Sequence, residues 1–276
     1  MFNLTEGAMS IVTISRGSYS RGREVAEKLA ALLNYECLSR EIILEASEQF
    51  NIPEIKLVRA IHDAPSILDR FTYGKERYIA FFRAALLKRL QKDSLIYHGL
   101  AGHAFLQKIP HVLKVRIMAN LEDRIKEEMK RERISADQAR HILVKDDAER
   151  RKWSMTLYGL DTWDQRFYDM TLHLDTMDVD DAVSIILCSL NSPCFQTTPE
   201  STERLEDLCL SAQVEAALVR DFPKVTADAR NGVVYVSVRG SLVDEKGISR
   251  KVKRMVEKVD EVKKVHVNIV AHSIQD

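Results

Sequence analysis

Two kinds of apolar pattern alternate along the first two thirds of this chain: short runs of strand length and stripes at helical spacing. The runs fall at residues 11–14, 35–38, 95–98, 112–118 and 171–174. Residues 11–14 are β-branched throughout, as expected of a central parallel strand covered on both faces. Behind them Val25, Leu29 and Leu32, with Leu33 beside them, recur at helical spacing, while Glu27 and Lys28 point elsewhere. Strand following helix in this way predicts an α/β fold, a parallel sheet between two helical layers. Residues 54–92 hold two helical patterns around the Asp63-Ala64-Pro65-Ser66 break, and Phe81, Phe82, Ala85 and Leu86 form an apolar face of core type.

Further along, Leu121, Ile125 and Met129 make the inward face of a helix and leave Arg124, Lys126, Lys130, Arg131 and Arg133 largely outward. Ser135 opens the next helix. Gln138 stands three residues later, as in a capping box, and Ala139, Ile142 and Leu143 supply the apolar stripe. Residues 191–202 are polar and proline-containing and read as an interdomain connection. Beyond them the pattern predicts a helix at 205–218, strands at 225–229 and 233–239, a helix at 248–259 and a strand at 265–271. Asn231-Gly232 marks a hairpin between the first two strands. In the last helix Val252, Met255, Val256 and Val259 face a core and Lys251, Lys253, Arg254 and Lys258 make a solvated face. The expected domains are 1–190 and 205–276, an α/β unit and a small α+β unit, joined by a linker at 191–204.

Composition narrows the class. A chain of 276 residues favours two domains, and 45% hydrophobic with 30% charged residues is the balance of a folded protein. Forty-one basic and 41 acidic side chains cancel, which removes any general attraction to nucleic acid or anionic lipid. No apolar stretch approaches the roughly twenty residues of a membrane span. The first eight residues lack the basic start and apolar core of a secretory signal, so the expected location is cytoplasmic. Cys37, Cys188, Cys194 and Cys209 form no CxxC pair, which favours reduced thiols over a zinc site or a disulfide framework.

Candidate chemistry begins where the first strand ends. Gly17 and Gly22 stand five apart, and Gly22 feeds a helix N-terminus, the place where free backbone N–H groups and the helix dipole receive an anion. A phosphate loop reads GxxxxGK[ST]; here Arg23 takes the lysine position and Glu24 the hydroxyl position. The spacing alone fits either a phosphate loop or a basic turn between strand and helix. The stretch ISRGSYSRGREVAEKLAALLNYECLSREII resembles the opening of the cytidylate kinase-like family, with Ser15, Arg16, Ser20, Gly22, Arg23 and Glu24 on the family's pattern. The resemblance extends over about residues 10–190, through residues 95–119 and the Asp147-Ala148-Glu149-Arg150 segment. Tyr19 and Arg21 depart from it where the family tends to have glycine. Leu100 stands where the family usually has arginine.

The resemblance implies a P-loop kinase-like domain that uses ATP and Mg2+ to transfer a phosphoryl group to a nucleoside monophosphate, cytidylate by default. It implies a phosphate cradle made by Arg16, Gly17, Ser18, Tyr19, Ser20, Arg21, Gly22, Arg23 and Glu24, with Arg23 in place of the loop lysine. It also makes Arg150 a phosphate clamp and Asp147 the group that orients it, although Asp147, Arg150 and Arg151 at helical spacing equally fit a surface ion-pair set. No magnesium ligand is assigned, because Glu24 occupies the hydroxyl position. The altered loop motivates a second reading, a nucleotide-binding sensor or scaffold that has lost turnover, and a third is a kinase for another small acceptor. Tyr158 to Trp163 and the Tyr168-Asp169 pair resemble the family's approach to its last strand; they are expected to pack and turn, with the Trp163 ring closing a core edge. His98 and His103 flank the turn after the third strand, where a cleft opens, and are read as satisfied structural histidines or substrate contacts. The tail resembles a BON domain through Asn231-Gly232-Val233-Val234-Tyr235-Val236-Ser237-Val238-Arg239-Gly240 and Val259-Asp260-Glu261-Val262-Lys263-Lys264-Val265, implying a module for a small ligand or protein.

Overall fold

The computed structural model describes residues 10–17, 20–39, 41–51, 74–99 and 102–271. Ser18 and Tyr19 of the expected phosphate cradle, Leu100, the break around Asp63-Ala64-Pro65-Ser66 and the first eight residues lie outside the described residues. The chain packs as two units, one of residues 1–41 and 92–201, the other of residues 42–91 and 202–276.

In the first unit five parallel strands run in the order β2-β3-β1-β4-β5: β1 Ile11–Arg16, β2 Glu36–Leu38, β3 Leu95–Tyr97, β4 Val112–Ala119 and β5 Met170–Leu174. Helix α1, Gly22–Leu33, follows β1 directly. It buries Val25, Ala26 and Leu29 against Val12 and Ile14 of β1 and Leu113, Val115 and Ile117 of β4, and helix Val179–Leu190 completes that layer with Val183 and Ile186. The strands therefore send Val12, Ile14, Val115 and Ile117 to the α1 face and, by alternation, Thr13, Ser15, Lys114 and Arg116 to the other. Two helices after β4, Leu121–Glu132 and Ala136–Tyr158, pack through Ile125, Ala139 and Leu143, with Leu121 and Met129 alongside. Both halves of the Ser135/Gln138 capping box form. The second helix runs through Asp147 and Arg150 and stops only at Gly159, whose φ of +67° ends it in a left-handed cap.

In the second unit a mixed three-stranded sheet, β6 Thr226–Arg230, β7 Val233–Gly240 and β8 Lys264–Ala271, pairs β6 antiparallel and β8 parallel to β7. Asn231 (φ +51°) and Gly232 (φ +83°) make the hairpin turn, as their sequence signals. Val234, Val236 and Val238 meet Leu210, Val214 and Leu218 of helix Pro199–Leu218 and Val252 and Val256 of helix Glu245–Val256. The first of these helices begins earlier than expected, inside the polar connection. Thr198 and Ser201 bond each other's backbone N–H groups and Pro199 sits in the first turn, a ready helix start.

Residues 42–91, which the sequence assigns to the N-terminal domain, group with these C-terminal residues. Phe81, Phe82, Ala85 and Leu86 of helix Gly74–Leu90 are core, all at most 3% exposed. The reason for the grouping is specific: Arg83 pairs with Glu215 at 2.6 Å, Gln213 donates to the Ala84 carbonyl, and the Arg220 guanidinium lies over the Phe81 ring.

Candidate active site

The end of β1 and the start of α1 are pinned by close contacts. A Cβ on Gly22 would fall 2.7 Å from the Arg16 Cβ, so only glycine lets the Arg16 side chain lie across the helix start. Arg21 takes the left-handed conformation at the N-cap (φ +60°), and the Val25 N–H donates to its carbonyl. No side chain caps this helix among the described residues, so the amides of Gly22, Arg23 and Glu24 remain available to an anion. Ser20 ties the loop down, its hydroxyl donating to the Ile117 carbonyl at 3.1 Å, with the Gly17 carbonyl at 3.2 Å.

Side chains on the first turn are engaged with one another. Arg21 holds Glu24 by two bonds of 2.8 and 2.9 Å, and Arg23, 69% exposed, turns along the helix to Glu27 at 2.7 Å. Above the loop stands a different arginine. Arg124, expected to point outward, is 8% exposed and donates to Asp147 at 2.8 Å. A Cβ on Gly17 would lie 3.8 Å from both Arg124 Nη1 and Asp147 Oδ1, so this ion pair stands on the first glycine of the loop. Arg150, three residues beyond Asp147 on the same helix, is half-buried, and its side chain makes no hydrogen bond or ion pair among the described residues.

On the sheet face opposite α1 lies a second group of polar side chains. Thr13, Tyr97 and the short helix Gly102–Phe105 meet here, a Cβ on Gly102 falling 2.8 Å from the Tyr97 ring and 3.2 Å from Thr13. The His103 ring stands 4.9 Å from the Tyr168 ring, and Arg116 lies 5.5 Å from that ring's centroid. The Tyr168 hydroxyl donates to the Thr162 carbonyl at 3.1 Å and is hydrogen-bonded with Ser15 Oγ at 3.2 Å. Neither His103 nor His98 is the satisfied histidine expected: both His103 nitrogens and His98 Nδ1 are buried with no partner among the described residues. Burial first, and then the Arg116 charge, push the His103 pKa down to about 4. Burial and Arg16 do the same for His98, also to about 4. Trp163 does not close a core edge. It is 56% exposed beneath Arg151, whose guanidinium lies 4.7 Å from the ring centroid and bonds Asp161 at 2.9 Å. A ring stacked under a paired cation can stay in water, since the cation covers one face.

A family model, the cytidylate kinase-like family, matches residues 11–176. The chain belongs to this family. Its fold is shared by an uncharacterized protein from Eubacterium ventriosum, 22% identical, at a TM-score of 0.52 over 66% of this chain and 99% of that one. Shikimate kinase from Bacteroides thetaiotaomicron (9% identical, 67% of this chain and 100% of that one, TM-score 0.42) is more distant. So is dephospho-CoA kinase from Campylobacter jejuni (15% identical, 66% and 97%, TM-score 0.32); neither bears on substrate. No curated protein matches the chain.

In this member of the cytidylate kinase-like family, the structure brings Gly17, Arg16, Ser20, Gly22 and Asp147 together at the C-terminal end of the central strand β1. Arg23 and Glu24 sit on the outer side of the first turn, paired with Glu27 and Arg21. Sequence reasoning missed Arg124 and Arg116. For Arg116 a signal existed: Lys114 and Arg116 alternate with Leu113, Val115 and Ile117, which marks one face of β4 as polar.

Proposed function

We propose that this chain is an ATP-dependent phosphotransferase acting on a nucleoside monophosphate, cytidylate by default. One observation carries the reading: the Arg124–Asp147 pair stands on Gly17, beside the uncapped amides of α1. The triphosphate would lie along the Gly22, Arg23 and Glu24 amides, where the helix dipole favours negative charge. Arg124, oriented by Asp147, would neutralise charge on the migrating phosphoryl group as it leaves the ADP oxygen for the acceptor's phosphate oxygen. Arg150 and Arg23 are the further cations of this site, Arg150 on the helix that carries Asp147 and Arg23 on the first turn of α1.

Magnesium, when bound with ATP, supplies charge neutralisation at the outer phosphates. The described side chains do not fit a protein ligand for it. Glu24 is paired with Arg21, Ser20 is only 1% exposed, and no cluster of metal-ligating residues occurs among the described residues. That observation favours a second reading, a nucleotide-binding sensor or scaffold without turnover. The helix-strand-strand-helix-strand order of residues 199–271 supports a BON-like module for a small ligand or protein partner. No helix among the described residues is long and apolar enough to cross a membrane, consistent with the cytoplasmic location we propose.

The test is ATP, magnesium and a panel of nucleoside monophosphates and other small acceptors with the purified full chain. Diphosphate product, with Arg124→Ala lowering kcat about 100-fold or more, is the expected result. Saturable ATP binding with no product from any acceptor selects the sensor.

A further inference from the structure

The polar group opposite α1 has a feature that the phosphate loop does not explain. Arg116 sits in β4, one strand from the sheet centre, at 8% exposure, with its Nη1 buried and unpartnered. A guanidinium cannot escape burial by losing its proton, so a buried one calls for an anion. No carboxylate pairs with it among the described residues. Neighbouring acids in this unit are committed: Asp169 to Lys114 at 2.9 Å, Asp147 to Arg124 and Asp161 to Arg151. Tyr168 offers its ring face and a hydrogen bond to Arg116, neither of which carries the negative charge that a buried guanidinium calls for.

The other polar groups here are also unmet. Thr13 Oγ1 and both nitrogens of His103 are buried without partners among the described residues, and all share the sheet face with Arg116. Native proteins leave few such atoms unpaired, and a cluster of them beside a buried guanidinium without a carboxylate is a place for a bound polar group to fill. Arg116 is level with Ser15, one residue before β1 ends, where Ser15 and Arg16 are only half-buried. The group therefore lies next to the open, C-terminal end of the sheet, where ligands of α/β sheets bind.

We propose that Arg116, with Thr13 and His103 as hydrogen-bonding companions, holds an anionic group, phosphate or carboxylate, of the phosphoryl acceptor. Alternation puts Arg116 on the face away from α1, whereas the ATP cradle is formed at the α1 N-terminus, so the two anion sites are separate. The inference rests on the phosphotransferase reading for the word acceptor, but the anion site itself does not need turnover to be detected.

The test is binding, by calorimetry, of ATP, inorganic phosphate, cytidine monophosphate and malonate to the full-length wild type, Arg116→Met and Arg116→Lys. Arg116→Met should lose at least 10-fold in affinity for the phosphate probes, or for malonate if the group is a carboxylate, and bind ATP as the wild type does. Arg116→Lys should show a smaller loss, because it keeps the charge without the planar fork. Unchanged binding of the small anions in Arg116→Met overturns the proposal, as does failure of all three to bind the wild type. If Arg116→Met does not fold, Arg116→Lys decides, and wild-type affinity there overturns the proposal. Loss of ATP binding in the wild type itself would instead sink the phosphotransferase reading.

Discussion

Two arginines, one in each unit, stand in opposite circumstances: Arg83 is partly buried and Arg116 buried. Arg83 in the helix Gly74–Leu90 meets Glu215 at 2.6 Å, and Glu215 also accepts the Ala227 N–H at 3.0 Å. Burial raises the Glu215 pKa, and Arg83 with the Ala227 amide opposes it. That cation is internally compensated and serves to hold helix to helix. Arg116 in the sheet of the first unit has no such acid among the described residues; Tyr168 meets it, and its Nη1 has no partner there. The difference separates a charge placed for the fold from a charge placed for something that binds.

Removing the paired arginine should have the largest effect. Arg83→Ala leaves Glu215 buried without its cation and should cost about 3 kcal/mol of stability in urea unfolding of the full chain. Arg116→Met, which replaces an uncompensated charge with an apolar chain, should fall within about 1 kcal/mol of wild type. Equal losses in the two variants would break the contrast.

Acid should act next, and on the unpaired region. The His103 pKa is pushed from 6.5 to about 4, so the folded state holds fewer protons than the unfolded one between those values. Stability from a neutral buried histidine is complete above pH 6.5 and is lost as pH falls toward 4, about 2 kcal/mol between pH 7 and pH 4.5. His103→Asn should flatten that part of the profile measured by urea unfolding at several pH values. A variant with the wild-type slope would show that His103 is not the group titrating.

The smallest effect belongs to the loop's exposed face. Arg23 and Glu27 are 69% and 50% exposed, so Arg23→Ala should change stability by no more than about 0.5 kcal/mol. A larger loss by thermal unfolding would give Arg23 a structural part that its pairing does not suggest.

Much of this architecture was legible before any coordinates. The strand runs, the Ser135/Gln138 capping box and the Asn231-Gly232 turn are local signals, set by periodicity and by the conformations a few adjacent residues prefer. Arg124 was not legible. A helical pattern read alone assigns a charged residue to water, and only the approach of Asp147, 23 residues away, gives that charge a buried place. Trp163 misled in the opposite sense, since a large ring suggests core unless the cation that covers it is known. Nor could local pattern place residues 42–91 with the C-terminal residues, because Arg83 finds Glu215 across 132 positions.

The sequence by itself determined the elements, their order and the glycine-punctuated turn into α1, because these follow from backbone preferences over a few residues. Beyond the i,i+3 and i,i+4 pairs that helical spacing offers, tertiary structure alone decided which buried charges are paired and which wait for a partner. Pairing depends on side chains brought within about 3 Å from distant parts of the chain, and neither composition nor spacing encodes that distance.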